Sequence, residues 1–176
     1  MLAVRASPLL EVQKNKNAKM ANKIIEVAKK EIGYTETPAN SNKTKFGKWF
    51  GFDGVAWCGM FVSWCYDKAG FPLGNIGFLK GFAGCQTALA FFTKNKRITT
   101  NPNEGDIVFF DWNLDGRYDH TGLFVRQIDK DYFETIEGNT SLTNQSNGGQ
   151  VMFRKRKYGK GVIFVHPKCL DEAVIA

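Results

Sequence analysis

The sequence predicts an α+β domain, and three observations carry that reading. Helix-period apolar patterns fill the first half of the chain and short β-favouring runs the second. No repeat period, low-complexity block or second composition regime separates them. The 176 residues match the length of one domain, enough to bury a core without staples.

Residues 1 to about 17 carry many Lys and Asn and no apolar period. They are expected to form a flexible arm ahead of a domain spanning 18–176. From Ala18 to Ile32, the positions Ala21, Ile24, Ile25, Ala28 and Ile32 fit one helix face, and Gly33 supplies a C-terminal cap. Thr35 to Phe52 reads as a polar and aromatic loop. A second helix is predicted from about Cys58 to Ala69, stopped by Gly70 with Pro72 beyond, and a third from Cys85 to Lys94. Five β-favouring runs follow: Asp106–Asp111, Gly122–Ile128, Phe133–Glu137, Val151–Arg156 and Val162–Val165. Turn residues at hairpin length separate them, which predicts a twisted antiparallel sheet with the N-terminal helices packed on it.

Composition narrows the function classes. Aromatics make up 14%, with 15 Phe, which excludes a disordered chain. The formal charge of +7 favours acidic or polyanionic partners, and by itself does not choose among cell walls, membranes and nucleic acids. The basic residues are scattered over Lys14–Lys19, Lys43–Lys48 and Arg154–Lys160, so a solvated surface accounts for most of them. No basic-aromatic motif on one surface supports a nucleic-acid binder. No stretch approaches the roughly 18 apolar residues of a membrane span. The early Arg5 and the short Pro8-Leu9-Leu10 patch lack a sustained apolar core, so no cleaved signal peptide is expected.

The four cysteines, at 58, 65, 85 and 169, form neither CxxC pairs nor a disulfide-dense pattern. On a helix, Cys58 and Cys65 are separated by roughly 10 Å of rise, too far to bridge. All four are read as free thiols, with Cys65, Cys85 and Cys169 as small buried apolar groups.

Cys58 differs from the others by its position. It opens a strongly apolar helix in Trp57-Cys58-Gly59-Met60-Phe61-Val62-Ser63-Trp64-Cys65. Helix N-termini present unpaired N–H groups and partial positive charge, which favour thiolate over thiol. A thiol nucleophile further needs a base and a group that fixes the base's tautomer. The chain has two histidines. His120 opens the strand run His120-Thr121-Gly122-Leu123-Phe124-Val125, directly after a turn, whereas His166 sits beside Pro167 at the end of the last strand. His120 is therefore preferred. Alternation along Ile136-Glu137-Gly138-Asn139 puts Glu137 and Asn139 on one side, where both can reach an imidazole on the neighbouring strand. Ser63 lies in the Cys58 helix without a base pattern, so a serine hydrolase reading is poor.

The blocks W-C-G-M-F-V-S-W-C, G-D-I-V-F-F, D-H-T-G-L-F-V and T-I-E-G-N-T, in this order and spacing, resemble the CHAP family of cysteine, histidine-dependent amidohydrolases and peptidases. The likeness covers roughly residues 20 to 166. It implies a papain-like fold, in agreement with helices followed by sheet. It also implies Cys58 as nucleophile, His120 as base, Glu137 as the orienter of His120 and Asn139 as an auxiliary polar group. The implied activity is cleavage of an amide or peptide bond of bacterial peptidoglycan, with a phage endolysin as the expected type. Such a protein would leave the host cytoplasm through a permeabilised membrane or travel on a phage particle. The expected partner is peptidoglycan, with no nucleic acid, no membrane insertion, no required cofactor and a monomeric state. The competing readings are an NlpC-type cell-wall cysteine peptidase, which usually has a second histidine as third polar residue, and a catalytically idle wall-binding or structural phage module.

One further motif concerns calcium. Asp111-Trp112-Asn113-Leu114-Asp115-Gly116 follows the start of the calcium-loop pattern, with Asp111, Asn113 and Asp115 as candidate ligands. Gly122 stands where a twelfth-position carboxylate is expected, and a β-hairpin with an Asp-Gly turn is the competing reading. Trp49, Phe50, Phe52 and Trp57 precede Cys58 and serve equally as groove walls or as core.

Overall fold

A computed structural model of the chain describes residues 8–78 and 80–171. Four helices, α1 (Pro8–Lys29), α2 (Lys45–Phe50), α3 (Cys58–Lys68) and α4 (Cys85–Lys94), precede the sheet. The strands are β1 (Ile98–Thr99), β2 (Ile107–Phe110), β3 (His120–Gln127), β4 (Tyr132–Thr140), β5 (Gln150–Lys157) and β6 (Val162–Val165), followed by a 3-10 turn at Lys168–Leu170. The α+β expectation holds.

α1 begins at Pro8, not at Ala18, so residues 8–17 are helical and only 1–7 of the expected arm lie outside the described residues. Pro8 suits the first helical position, and the Leu, Glu, Gln and Lys that follow are good helix formers. An apolar stripe of this helix is buried in the core at Met20, Ala21, Ile24, Ile25 and Ala28. α2 interrupts the expected loop at residues 35–52. Thr44 caps it by accepting from the Gly47 N–H at 2.9 Å, and Gly51 ends it at φ 92°. Six residues are too few to show a helix period.

The six strands form one antiparallel sheet in the order β1-β6-β2-β3-β4-β5. β2 is central and buried on both faces. Its Ile107 and Phe109 join the main core under the helices, while Val108 and Phe110 join a smaller cluster with Phe124, Phe133 and Phe164. α3 is the hub of the main core, packing on α1, α2, β3 and β4. Its close seat on β4 depends on Gly138, where an added Cβ would lie 2.7 Å from Phe61 and 2.8 Å from Trp57. Trp57 is fully buried and stacks on Phe46, so it belongs to the core and not to a groove wall. Ser63 is likewise structural, bonded to both the carbonyl and the N–H of Phe82 at 3.0 Å.

Candidate active site

Cys58 is the first residue of α3, and its preceding cap residue, Trp57, makes no side-chain cap hydrogen bond. The first-turn N–H groups are therefore free to face negative charge on the sulfur. Gly59 follows because nothing larger fits: its Cβ would stand 2.6 Å from the Ala83 carbonyl oxygen. His120 opens β3 opposite Phe110, and its imidazole meets the Cys58 thiol. On the other side of the ring, Nε2 lies 2.9 Å from Glu137 Oε2. Nδ1 has no hydrogen-bond partner among the described residues and is the nitrogen left to serve the sulfur. Glu137 reaches across β3 because residue 122 is glycine; a Cβ there would fall 2.5 Å from Glu137 Cγ.

Glu137 is held on all sides. Oε1 accepts from Thr135 Oγ1 at 2.5 Å and from Arg156 Nε at 2.7 Å. Oε2 accepts from Arg156 Nη2 at 2.5 Å as well as facing His120. The guanidinium of Arg156 also lies against the Trp112 and Phe110 rings, 4.8 and 5.2 Å from their centroids. Arg156, Glu137, His120 and Cys58 thus alternate in sign as cation, anion, cation and anion.

The protonation states follow from these contacts. Burial pushes the Glu137 carboxyl up, but the bonds from Arg156 and His120 outweigh it and hold its pKa at about 2. Burial disfavours His120 in its charged form, yet the Cys58 and Glu137 hydrogen bonds and charges raise its pKa to about 9. Cys58 is pulled well below the ordinary thiol range. The hydrogen bond from Cys85 is the largest cause, followed against burial by His120 and the Gly59 N–H. Cys85 is correspondingly pushed well above it, by the bond to Cys58 and by burial. These directions favour a thiolate–imidazolium pair with a neutral thiol beside it.

The three expected side chains therefore meet, and His166 does not join them. Its Nδ1 lies 2.6 Å from Asp106 Oδ1. The dyad is covered: Cys58 is 2% exposed and His120 0%. Trp112, 41% exposed, lies on the imidazole with 5.4 Å between centroids and 28° between planes. The loop carrying Trp112 is tied to α4 by the Tyr118 N–H, which donates to Gln86 Oε1 at 2.9 Å.

Two expected site roles are not found. Asn139 does not approach the imidazole; its Nδ2 donates to Asn147 Oδ1 at 3.0 Å, and its Oδ1 accepts from the Gly149 N–H at 3.2 Å. The cause is a register shift between Glu137 and Thr140, with Asn139 at φ 57°, which breaks the alternation that would align it with Glu137. The proposed calcium ligands bond within their own turn. Asp111 accepts the N–H groups of Asp115 and Gly116 at 3.3 and 2.9 Å, and Asn113 Nδ2 donates to Asp115 Oδ2 at 3.0 Å. The carboxylates serve their own turn, and no group of three or more His, Cys, Asp or Glu side chains placed for a metal occurs among the described residues.

Cys85, Arg156, Thr135 and Gly122 were not anticipated at the site. Arg156 sat in a stretch that reads as solvated surface, and Cys85 among residues that read as inert. Cys85 left one trace, since it opens its own helix as Cys58 does. No disulfide joins any of the four cysteines, as expected. Cys169 is only partly buried and Cys85 is not a passive filler, in contrast to the reading of both as plain apolar groups.

A buried thiol, imidazole and carboxylate on a helix N-terminus and two adjacent strands have the arrangement that a papain-type cysteine hydrolase centre needs. The sequence matches the CHAP domain family over residues 49–139, just over half the chain, and that span runs from ahead of the Cys58 helix to the end of the Glu137 segment. The chain belongs to the CHAP family, and with it to the cysteine- and histidine-dependent amidohydrolases and peptidases of peptidoglycan. No curated protein matches the chain.

Proposed function

We propose that the protein hydrolyses an amide or peptide bond of bacterial peptidoglycan with Cys58 as nucleophile, His120 as general acid and base, and Glu137 as the residue that positions His120. The line of hydrogen bonds from Arg156 through Glu137 to His120, with the unpartnered Nδ1 left for Cys58, carries this reading. The Cys58 thiolate attacks the scissile carbonyl carbon, and the first-turn N–H groups of α3 face the developing oxyanion. Imidazolium at His120 gives its proton to the departing amine, leaving a thioester on Cys58. Neutral His120 then takes a proton from water, whose oxygen attacks the thioester carbonyl and frees the acid and the thiolate. Glu137 stays ionised throughout, because Arg156 and Thr135 hold its charge independently of His120. The sulfur must be uncovered for a polymer to reach it, and the Trp112 loop is the part of the cover that solvent already reaches. The net charge of +7 favours residence on an anionic wall.

The test is digestion of purified peptidoglycan with mass analysis of the new chain ends. New muramic acid termini identify an amidase and new peptide termini an endopeptidase. Cys58→Ser should keep the fold and lose nearly all release. Normal release by that variant ends the assignment.

A further inference from the structure

Cys58 and Cys85 lie 27 residues apart in sequence and each opens a helix, yet their sulfurs approach to 3.8 Å in a buried contact. Hydrolysis by the Cys58–His120 pair asks a hydrogen bond of residue 85 and no covalent chemistry. A serine would donate that bond from the same corner of the core. What a thiol adds there is chemistry with another sulfur. Closing the pair to the about 2.05 Å of a disulfide requires about 2 Å of approach, shared between two side chains that each turn about a single rotor. The other two cysteines are not placed for it: Cys65 is buried lower on α3, and Cys169 belongs to the C-terminal 3-10 turn.

We propose that Cys85 is a resolving cysteine: when hydrogen peroxide oxidises Cys58, the two residues close into a reversible disulfide that silences the site and spares its sulfur from irreversible oxidation. In the first step the Cys58 thiolate attacks one peroxide oxygen. The S–O bond forms, the O–O bond breaks, and the leaving hydroxide takes the proton of the His120 imidazolium as water, giving Cys58 sulfenic acid. In the second step the Cys85 sulfur attacks Cys58 Sγ. The S–S bond forms, the S–O bond breaks, and the departing hydroxide takes the Cys85 proton as water. Overall, one peroxide is reduced to two waters and two cysteines are oxidised to one cystine. A dithiol reductant returns both. Cys58 is poised for the first step as a thiolate at a helix start. The neutral Cys85 thiol gives up its proton only as hydroxide departs. Hydrogen peroxide is little larger than the water that deacylation must already admit.

This goes beyond the hydrolase reading and does not depend on its substrate. The reduced full-length protein is treated with hydrogen peroxide, the remaining thiols are alkylated, and the intact mass and bridged peptides are determined. Wild type should lose two hydrogen atoms, show a Cys58–Cys85 bridge, lose activity, and regain it with dithiothreitol. Cys85→Ser and Cys85→Ala should instead gain two or three oxygen atoms on Cys58, with loss of activity that dithiothreitol does not reverse. Cys65→Ala should bridge as wild type does. The proposal is overturned if wild type goes directly to sulfinic acid, if the bridge maps to another pair, or if a Cys85 variant is rescued by reductant as fully as wild type. Bridge formation by mass together with an inactive reduced enzyme would instead refute the hydrolase assignment alone.

Discussion

Replacing Arg156 with Met tests whether the buried ion pair is what keeps the imidazole in place. Met keeps the length and apolar stem of the side chain but removes the fork that donates twice to Glu137. Each such charge-assisted bond is worth about 1.5–3 kcal/mol, and breaking one side of a buried pair costs about 3–5 kcal/mol. Titration gives a second route to the size. A carboxyl held at about 2 instead of 4.5 contributes roughly 3 kcal/mol of stability at neutral pH. That contribution is fully present above pH 4.5 and is lost as pH falls towards about 2. Arg156→Met should therefore lower Tm by roughly 10 °C at pH 7, at about 2–4 °C per kcal/mol for a chain of this length. The gap from wild type should narrow as the medium is acidified below pH 4.5, because protonated Glu137 no longer needs the cation. Arg156→Lys should fall between the two, keeping charge without the fork. Thermal melts followed by near-UV circular dichroism from pH 7 to about pH 3 provide the assay. A Tm change of only a degree or two at pH 7, or a gap that ignores pH, would refute the reasoning.

Other perturbations separate the roles further. Initial rates on purified peptidoglycan should fall on an alkaline limb near pH 9, since His120 must be protonated to release the amine. The stability from the raised His120 pKa is complete below 6.5 and fades through the same region, and a limb near 6.5 would show that the thiolate–imidazolium pair does not form. Gly122→Ala places a Cβ 2.5 Å from Glu137 Cγ and should cut the rate roughly 100-fold by shifting the carboxylate, while the variant still folds; full activity would mean Glu137 does not need its present path. Asn139→Ala should lower stability by about 1–3 kcal/mol through two lost hydrogen bonds and a left-handed backbone, with little change in the rate of the remaining folded enzyme. A large rate loss at unchanged Tm would return Asn139 to the catalytic group. Calcium and chelator should leave Tm unmoved, as measured by scanning fluorimetry, because the Asp111 oxygens already accept backbone N–H groups.

The parts of this protein legible in the sequence are those that neighbours along the chain decide. α3, α4 and β6 lie where period, cap residues and β propensity place them, because each is set by contacts three or four residues away or by alternation. The grouping of Cys58 with His120 and Glu137 came from the resemblance to a family, since no contact along the chain links them. α2 and the first turns of α1 escaped, one being too short to show a period and the other carrying no apolar period in its sequence. Tertiary structure alone decided the remaining partners. Arg156 reaches Glu137 only through the β4–β5 register, Gly122 matters only because Glu137 crosses it, and Cys85 meets Cys58 only because two helix starts converge. Asn139 left the site through a single register shift. Register and helix approach are set by the whole core at once, so no local pattern encodes them.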